Sequence, residues 1–169
     1  MINNSSNKQN QVRQSVKPVN PPTAIFRGNN YSLNIYEDWI DKTLYTLTGP
    51  VTDGIQHNII ITHEPNTDLD TVEEFGEWQI QGILSSLKGC MLLKKGAKKL
   101  QNGMDAYEAI FSWYPTDELR IYQQQIYVLH EKIGYKITAS FTKKTRKTLG
   151  PQVERMMLSF NPIKNSSKK

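Results

Sequence analysis

The chain has 169 residues, of which 37% are hydrophobic and 22% charged, enough for one domain with a core of its own. Its formal net charge of +5 comes from the ends: Lys8, Arg13, Lys17 and Arg27 meet no acid in the first thirty residues, and Lys164, Lys168 and Lys169 close the chain. The body between is slightly acidic, which argues against a nucleic-acid partner; the single cysteine, Cys90, excludes an internal disulfide, and no run approaches the ~20 apolar residues of a membrane span.

Residues 1–24 are rich in Asn, Ser, Gln and Pro and have almost nothing to bury. They predict a disordered polar tail, and the basic end 164–169 predicts another, leaving a folded domain over 25–163. The start shows neither the apolar centre of a signal peptide nor a lipidation cysteine. That pattern predicts a cytoplasmic protein with no stable membrane insertion.

Three strands follow the tail. "NYSLNIYEDW" is a short one that breaks at Glu37-Asp38, "DKTLYTLTGP" should stop at Gly49-Pro50, and "QHNIIITHEP" stops at Pro65. From Leu69 to Leu87 the period becomes helical, with Val72, Ile80, Ile83 and Leu87 on one stripe. Asp70 with Glu73, or Thr71 with Glu74, offers a capping box, and Gly89 a stop. Gln79 falls inside the apolar arc, while Trp78 points nearly opposite it. A misplaced amide and an exposed tryptophan on one helix suggest a second surface, and Trp78 is the candidate for a dimer interface.

Four strands then run antiparallel, "CMLLKKGAKK", "DAYEAIFSWYP", "LRIYQQQIYVLHE" and "GYKITASFT", joined at "QNG", "PTDE" and "EKIG". A final short helix begins at Gly150-Pro151 and carries Val153, Met156, Met157 and Phe160. The order predicts an α+β sandwich: an antiparallel sheet of about six or seven strands with two helices on one face and the other face open.

Catalytic patterns are missing: there is no glycine-rich phosphate loop, no G-x-S-x-G and no H-E-x-x-H. His57 and His63 would stand about 20 Å apart on an extended strand, too far for one metal. Glu73-Glu74 and Asp117-Glu118 have structural explanations at a helix start and a turn. The lysine and arginine clusters at 94–99 and 143–147 read as solvated loop ends. The sequence favours a binding protein that is not an enzyme and uses no metal or cofactor.

From about Asn30 to Pro162 the chain resembles the DcrB-like domain family, and within it the Eag chaperones encoded beside effectors of the bacterial type VI secretion system. The resemblance is carried by "YSLNIYEDWIDKTLYTLTG", "NIIITHEP", "EFGEWQIQGILSSLKG", "GMDAYEAIFSWY", "QQQIYVLH", "YKITASF" and "MMLSF", in that order and spacing. It implies a PsbP-like sandwich that forms a homodimer without enzymatic activity. It also implies that the sheet surface of the dimer shields the apolar N-terminal transmembrane region of a secreted effector before export. The alternative within the same family is a structural or envelope-associated protein with no membrane-segment client.

Strand parity names the residues such a surface would use. On "YQQQIYVLH" one side carries Gln123, Gln125, Tyr127 and Leu129, amides beside large apolar groups. Ile59 and Ile61 make the better core pair on their strand, leaving Ile60 outward. Tyr45 and Leu47 do the same on theirs, leaving Leu44 and Thr46. Gln79 joins the set if it reaches past the sheet edge. The plain alternative is that Leu44 and Ile60 are ordinary core and the glutamines merely face water.

Overall fold

The computed structural model describes residues 23–28 and 30–163. The tails expected at 1–24 and 164–169 therefore lie outside the described residues, except that Thr23 and Ala24 open a strand. By contacts the chain divides into two units, Met1–Asp41 and Lys42–Lys169.

The first unit holds an antiparallel hairpin of β1 (Thr23–Arg27) and β2 (Ser32–Tyr36). β1 was not foreseen, because "TAIFR" follows a polar stretch and is too short to show a period. Its turn is tight: a Cβ on Gly28 would run into the Tyr31 ring.

The second unit is a six-stranded antiparallel sheet with three helices. In sequence these are β3 (Leu44–Thr52), β4 (Ile55–Glu64), α1 (Val72–Ser86), β5 (Met91–Lys99), β6 (Asp105–Thr116), β7 (Leu119–His130), β8 (Ile133–Phe141), α2 (Lys143–Thr148) and α3 (Gly150–Leu158). The spatial order is β3-β4-β8-β7-β6-β5, so β3 and β5 are the edges. β3 does not stop at Gly49-Pro50 as predicted. Its pairing with β4 shifts register between Thr48 and Val51, and an edge strand tolerates proline at such a bulge because its outer N–H needs no partner.

α1 starts as the Thr71–Glu74 pairing predicts. The Glu74 amide donates to the Thr71 hydroxyl at 3.1 Å, and the Glu74 carboxylate accepts from the Thr71 amide at 3.0 Å. Two glycines let the helix settle close to the sheet. A Cβ on Gly134 would strike the Phe75 ring, and one on Gly76 the ring of Tyr107.

The helices do not share one face, which corrects the prediction of an uncovered side. Phe75 and Ile80 of α1 pack with Tyr107, Ala109, Phe111 and Tyr127. Met157 of α3 packs with Ile59, Ile126, Val128, Ile137, Ala139 and Phe141. The two sets occupy opposite parities of β7, hence opposite faces. Val153 and Met157 already form an apolar stripe in the sequence, but periodicity says only that a helix has a buried side. It does not say which face of the sheet receives it.

Candidate partner-binding face

The α1 face is one surface in two halves. Pairing aligns transverse rows across all six strands: Leu44, Thr62, Lys136, Tyr127, Tyr107 and Ala97 in one, and Thr46, Ile60, Thr138, Gln125, Ala109 and Lys95 in the next. Every strand residue named as a candidate from the sequence, Leu44, Thr46, Ile60, Gln123, Gln125, Tyr127 and Leu129, lies on this face. α1 lies over the β5–β6–β7 part, and the β3–β4 part is left open beside it. Thr46 and Leu44 are exposed there, and Ile60 is half-buried.

The covered half withdraws two of the candidates. Tyr127 is fully buried and Gln125 nearly so. The Tyr127 ring meets Phe75 edge-on at 6.1 Å, and its hydroxyl donates to the Gln125 side-chain oxygen at 2.5 Å. Burial, and then the negative charge of Glu77, push that hydroxyl far above the usual tyrosine range. Both side chains are interior groups that satisfy one another, so neither reaches a partner. Leu129 is half-buried and belongs to a separate hollow of about 760 Å3 near the start of α1, which Leu69, Val72 and Lys132 also line.

The glutamine run has an internal explanation at each position. Gln123 donates to the Ser140 hydroxyl at 2.9 Å, and Gln124, on the α3 face, donates to the Glu108 carboxylate at 2.8 Å. With Gln125 held by Tyr127, each amide has a sheet partner. The plain alternative of water-facing glutamines therefore fails for Gln125, whereas Gln123 keeps partial exposure.

The open half has a boundary and a floor. α1 forms the wall, where a groove of about 710 Å3 is lined by Trp78, Gln79, Gly82 and Ile83 together with Glu64 and Lys136. Trp78 is 56% exposed, its ring 6.2 Å from that of Phe75, so it stands as part of this wall. Gln79 does reach past its helix: its side-chain oxygen accepts from the Lys136 ammonium at 3.1 Å. Burial pulls the Lys136 pKa down, opposed by the charge of Glu64. Lys136, Thr138 and Thr62 were missed as floor residues. The signal was present in "YKITASF", where Tyr135, Ile137 and Ala139 claim the opposite face and leave Lys136 and Thr138 here.

Ion pairs fix the wall and account for the lysines at 94–99. The Glu77 carboxylate on α1 accepts from Lys95 at 2.6 Å and from the Tyr107 hydroxyl at 2.6 Å. The bond to Glu77 holds the Tyr107 pKa up at about 12, and the Lys95 ammonium, followed by the Tyr107 hydroxyl, holds the Glu77 pKa down. On the other face Glu108, 2% exposed, meets Lys94 at 2.7 Å and Lys98 at 3.5 Å, and Lys98 also meets Glu154 at 2.6 Å. Lys99 pairs with Asp105. These four lysines lie in strand β5, not at a loop end, and each faces an acid. Lys144 pairs with Asp53, and Arg146 lies over the Tyr122 ring.

Among the described residues no three potential metal ligands cluster, and no helix is long and apolar enough to cross a membrane. His57 and His63 share a face of β4, the one that packs on α3. His57 is buried between the carbonyls of Ser140 and Thr52.

No family model matches the chain, and no curated protein does. Solved structures do. PA94 of Pseudomonas aeruginosa, a protein of unknown function, aligns with a TM-score of 0.67 at 14% identity, over 85% of this chain and 99% of its own. The solution structure of CyanoP, the cyanobacterial PsbP of Synechocystis sp. PCC 6803, aligns with a TM-score of 0.50 at 12% identity, over 89% of this chain and 99% of its own. LpqN of Mycobacterium tuberculosis, involved in cell envelope biogenesis, aligns at 0.44 and 16% identity, over 81% and 76%. At such identities the likeness is one of fold: the chain has the α+β sandwich of the PsbP-like proteins.

Proposed function

We infer that the chain is a cytoplasmic chaperone or adaptor, of the kind its sequence resembles among the Eag proteins, that holds the apolar N-terminal transmembrane region of a type VI secretion effector until export. It works as a homodimer, by binding and without turnover. The observation that carries this reading is the open half of the α1 face, where Leu44 and Ile60 supply apolar contact beside the amide of Gln79 and the hydroxyls of Thr46 and Thr62. A transmembrane helix in water exposes apolar area worth about 25 cal/mol per Å2. It also carries small polar groups that a bundle would satisfy. A surface offering both kinds of contact suits it better than a purely apolar one. Lys136 departs from this pattern. Its ammonium is held by Gln79 at the foot of the wall, away from Leu44 and Thr46 at the far edge.

Co-expression with the N-terminal region of an effector encoded beside it tests the reading. The two should co-purify without detergent. Ile60→Asp should abolish the complex while the variant keeps its circular dichroism, and Gln79→Ala should weaken it by roughly 1 kcal/mol. A client that is left in the membrane fraction, or an Ile60→Asp variant that still holds it, would overturn the proposal in favour of a structural or envelope-associated role.

A further inference from the structure

Lys136 differs from the other described lysines. Eight of them meet a carboxylate at 3.7 Å or less, and Lys143 and Lys147 stand exposed in water. Lys136 is half-buried in the sheet floor and meets a neutral group, the Gln79 side-chain oxygen at 3.1 Å. Glu64 lines the same groove, but its carboxylate is taken by Lys42 at 2.5 Å. The field of Glu64 does not offset burial, and the Lys136 pKa stays lowered. The ammonium has therefore given up water that no fixed anion replaces.

Gln79 completes the arrangement. A lysine only donates, so the amide turns its oxygen to the ammonium and keeps its nitrogen for something else. That nitrogen has no partner among the described residues, and Gln79 lines the groove. Ammonium and amide thus stand together with N–H groups that no acceptor of the protein meets. Around them the groove is apolar and roomy. The exposed Trp78 ring and Ile83 line it, and Gly82, with nothing within 4 Å of a Cβ, leaves a gap in the helix wall.

We propose that Lys136 and Gln79 form a clamp for a carboxylate, and that its source is an Asp or Glu side chain within an apolar helical segment. The ammonium supplies the charge, and the Gln79 amide donates to the second carboxylate oxygen. Charge complementarity selects the acid: a neutral amide would leave the cation unmatched, and a basic side chain would be repelled. Trp78 and Ile83 suit the apolar remainder of the segment. An acid within a membrane-spanning helix is costly wherever it lacks a partner, and this groove offers one. The segment as source rests on the client reading above, whereas the clamp rests on the two donors.

Two labelled peptides of ~20 apolar residues, identical except for a central Glu or Gln, test the proposal beside hexanoate, a free carboxylate with a short apolar chain. In fluorescence anisotropy with the full chain, the Glu peptide should bind at least about tenfold more tightly than the Gln peptide. Lys136→Met should erase that preference and leave the Gln peptide bound as before, with unchanged circular dichroism. Gln79→Leu should reduce the preference. Hexanoate should shift the side-chain NMR signals of Lys136 and Gln79. Equal binding of the two peptides by the wild type, or a preference that survives in Lys136→Met, would overturn the clamp and leave the client reading standing. Shifts with hexanoate while neither peptide binds would overturn the segment as source, and the client reading with it. No shift and no bound peptide would overturn both.

Discussion

Ile60 and Ala109 stand in the same transverse row of the same sheet face, yet Ala109 is wholly buried and Ile60 keeps part of its surface in water. Nothing in the row itself explains it, since the row they share mixes apolar and polar residues from edge to edge. The difference is α1. Where Phe75 descends onto the sheet, even the amide of Gln125 is interior. At the β3 edge, which the helix does not cover, a leucine is surface. Burial on this face is therefore decided by the helix that covers it, and substitutions on the two halves should differ accordingly.

The largest difference should appear at Tyr127. Replacement by Ala removes a fully buried ring packed against Phe75 and leaves Gln125 without its partner. Loss of a buried aromatic costs about 3–5 kcal/mol, which in a chain of this size lowers the melting temperature by on the order of 10 °C. Thermal unfolding followed by circular dichroism measures it. A shift of only a degree or two would mean that α1 does not clamp this half.

Glu108 probes the covered surface on the opposite side. Burial raises its pKa, but the hydrogen bonds from Lys94 and Gln124 and the charge of Lys98 outweigh it, so the net shift is below the ordinary value of 4.5. The folded state thus releases this proton more readily than the unfolded chain does. Its stabilising contribution is complete above pH 4.5 and fades as the pH falls through the lower folded value. Glu108→Gln should cost about 2 kcal/mol at neutral pH. It should also flatten the acid side of the stability curve, measured by urea unfolding from pH 7 to pH 3. An equally steep acid limb in the variant would assign the acid sensitivity to other carboxylates.

Gly134 tests how closely the wall sits. A methyl group there meets the Phe75 ring, so Gly134→Ala must lift α1 or turn the ring, a strain of about 1–3 kcal/mol. The same change at Gly82, where nothing stands within 4 Å of a Cβ, should be neutral or slightly stabilising because it removes a mid-helix glycine. Urea midpoints of the two variants, compared directly, isolate the contact. Equal midpoints would mean that the helix has slack over the sheet.

Much of this arrangement was legible in the chain. Thr71 and Glu74 announced the start of α1, and alternation in β7 placed Gln123, Gln125, Tyr127 and Leu129 on one side. Counting alone put Ile59 on a buried side of β4. The same reasoning made Tyr45 and Leu47 the core pair of β3, but both are at least half exposed because β3 is an edge strand that no helix covers there. What could not be read was which part of that side α1 would cover, because Phe75 reaches Gly134 across 59 positions of sequence and no local period encodes the contact. The Glu108 cluster escaped for a related reason. Lys94 and Lys98 look like a solvated charge run until β5 is registered on β6, and only pairing brings them to one carboxylate. Trp78 is the converse case: its misfit to the helix stripe was visible, but its place in the wall of a groove depended on Lys136 and Glu64 from two other strands.

The smallest effect should come from the open half. Leu44 is 56% exposed on an edge strand, so Leu44→Asp leaves its new carboxylate in water and removes little packed area. A surface change of this kind moves stability by no more than about 0.5 kcal/mol, against several for a charge placed in a true core. Set beside Tyr127→Ala, it measures the contrast within one row, since Leu44 and Tyr127 share the line that runs through Thr62 and Lys136. A folded Leu44→Asp variant with an unchanged melting temperature, and with lost capture of an apolar segment, would assign Leu44 to recognition alone. Marked destabilisation would instead place this leucine beneath something in the folded protein, and the half-face beside β3 would no longer count as open.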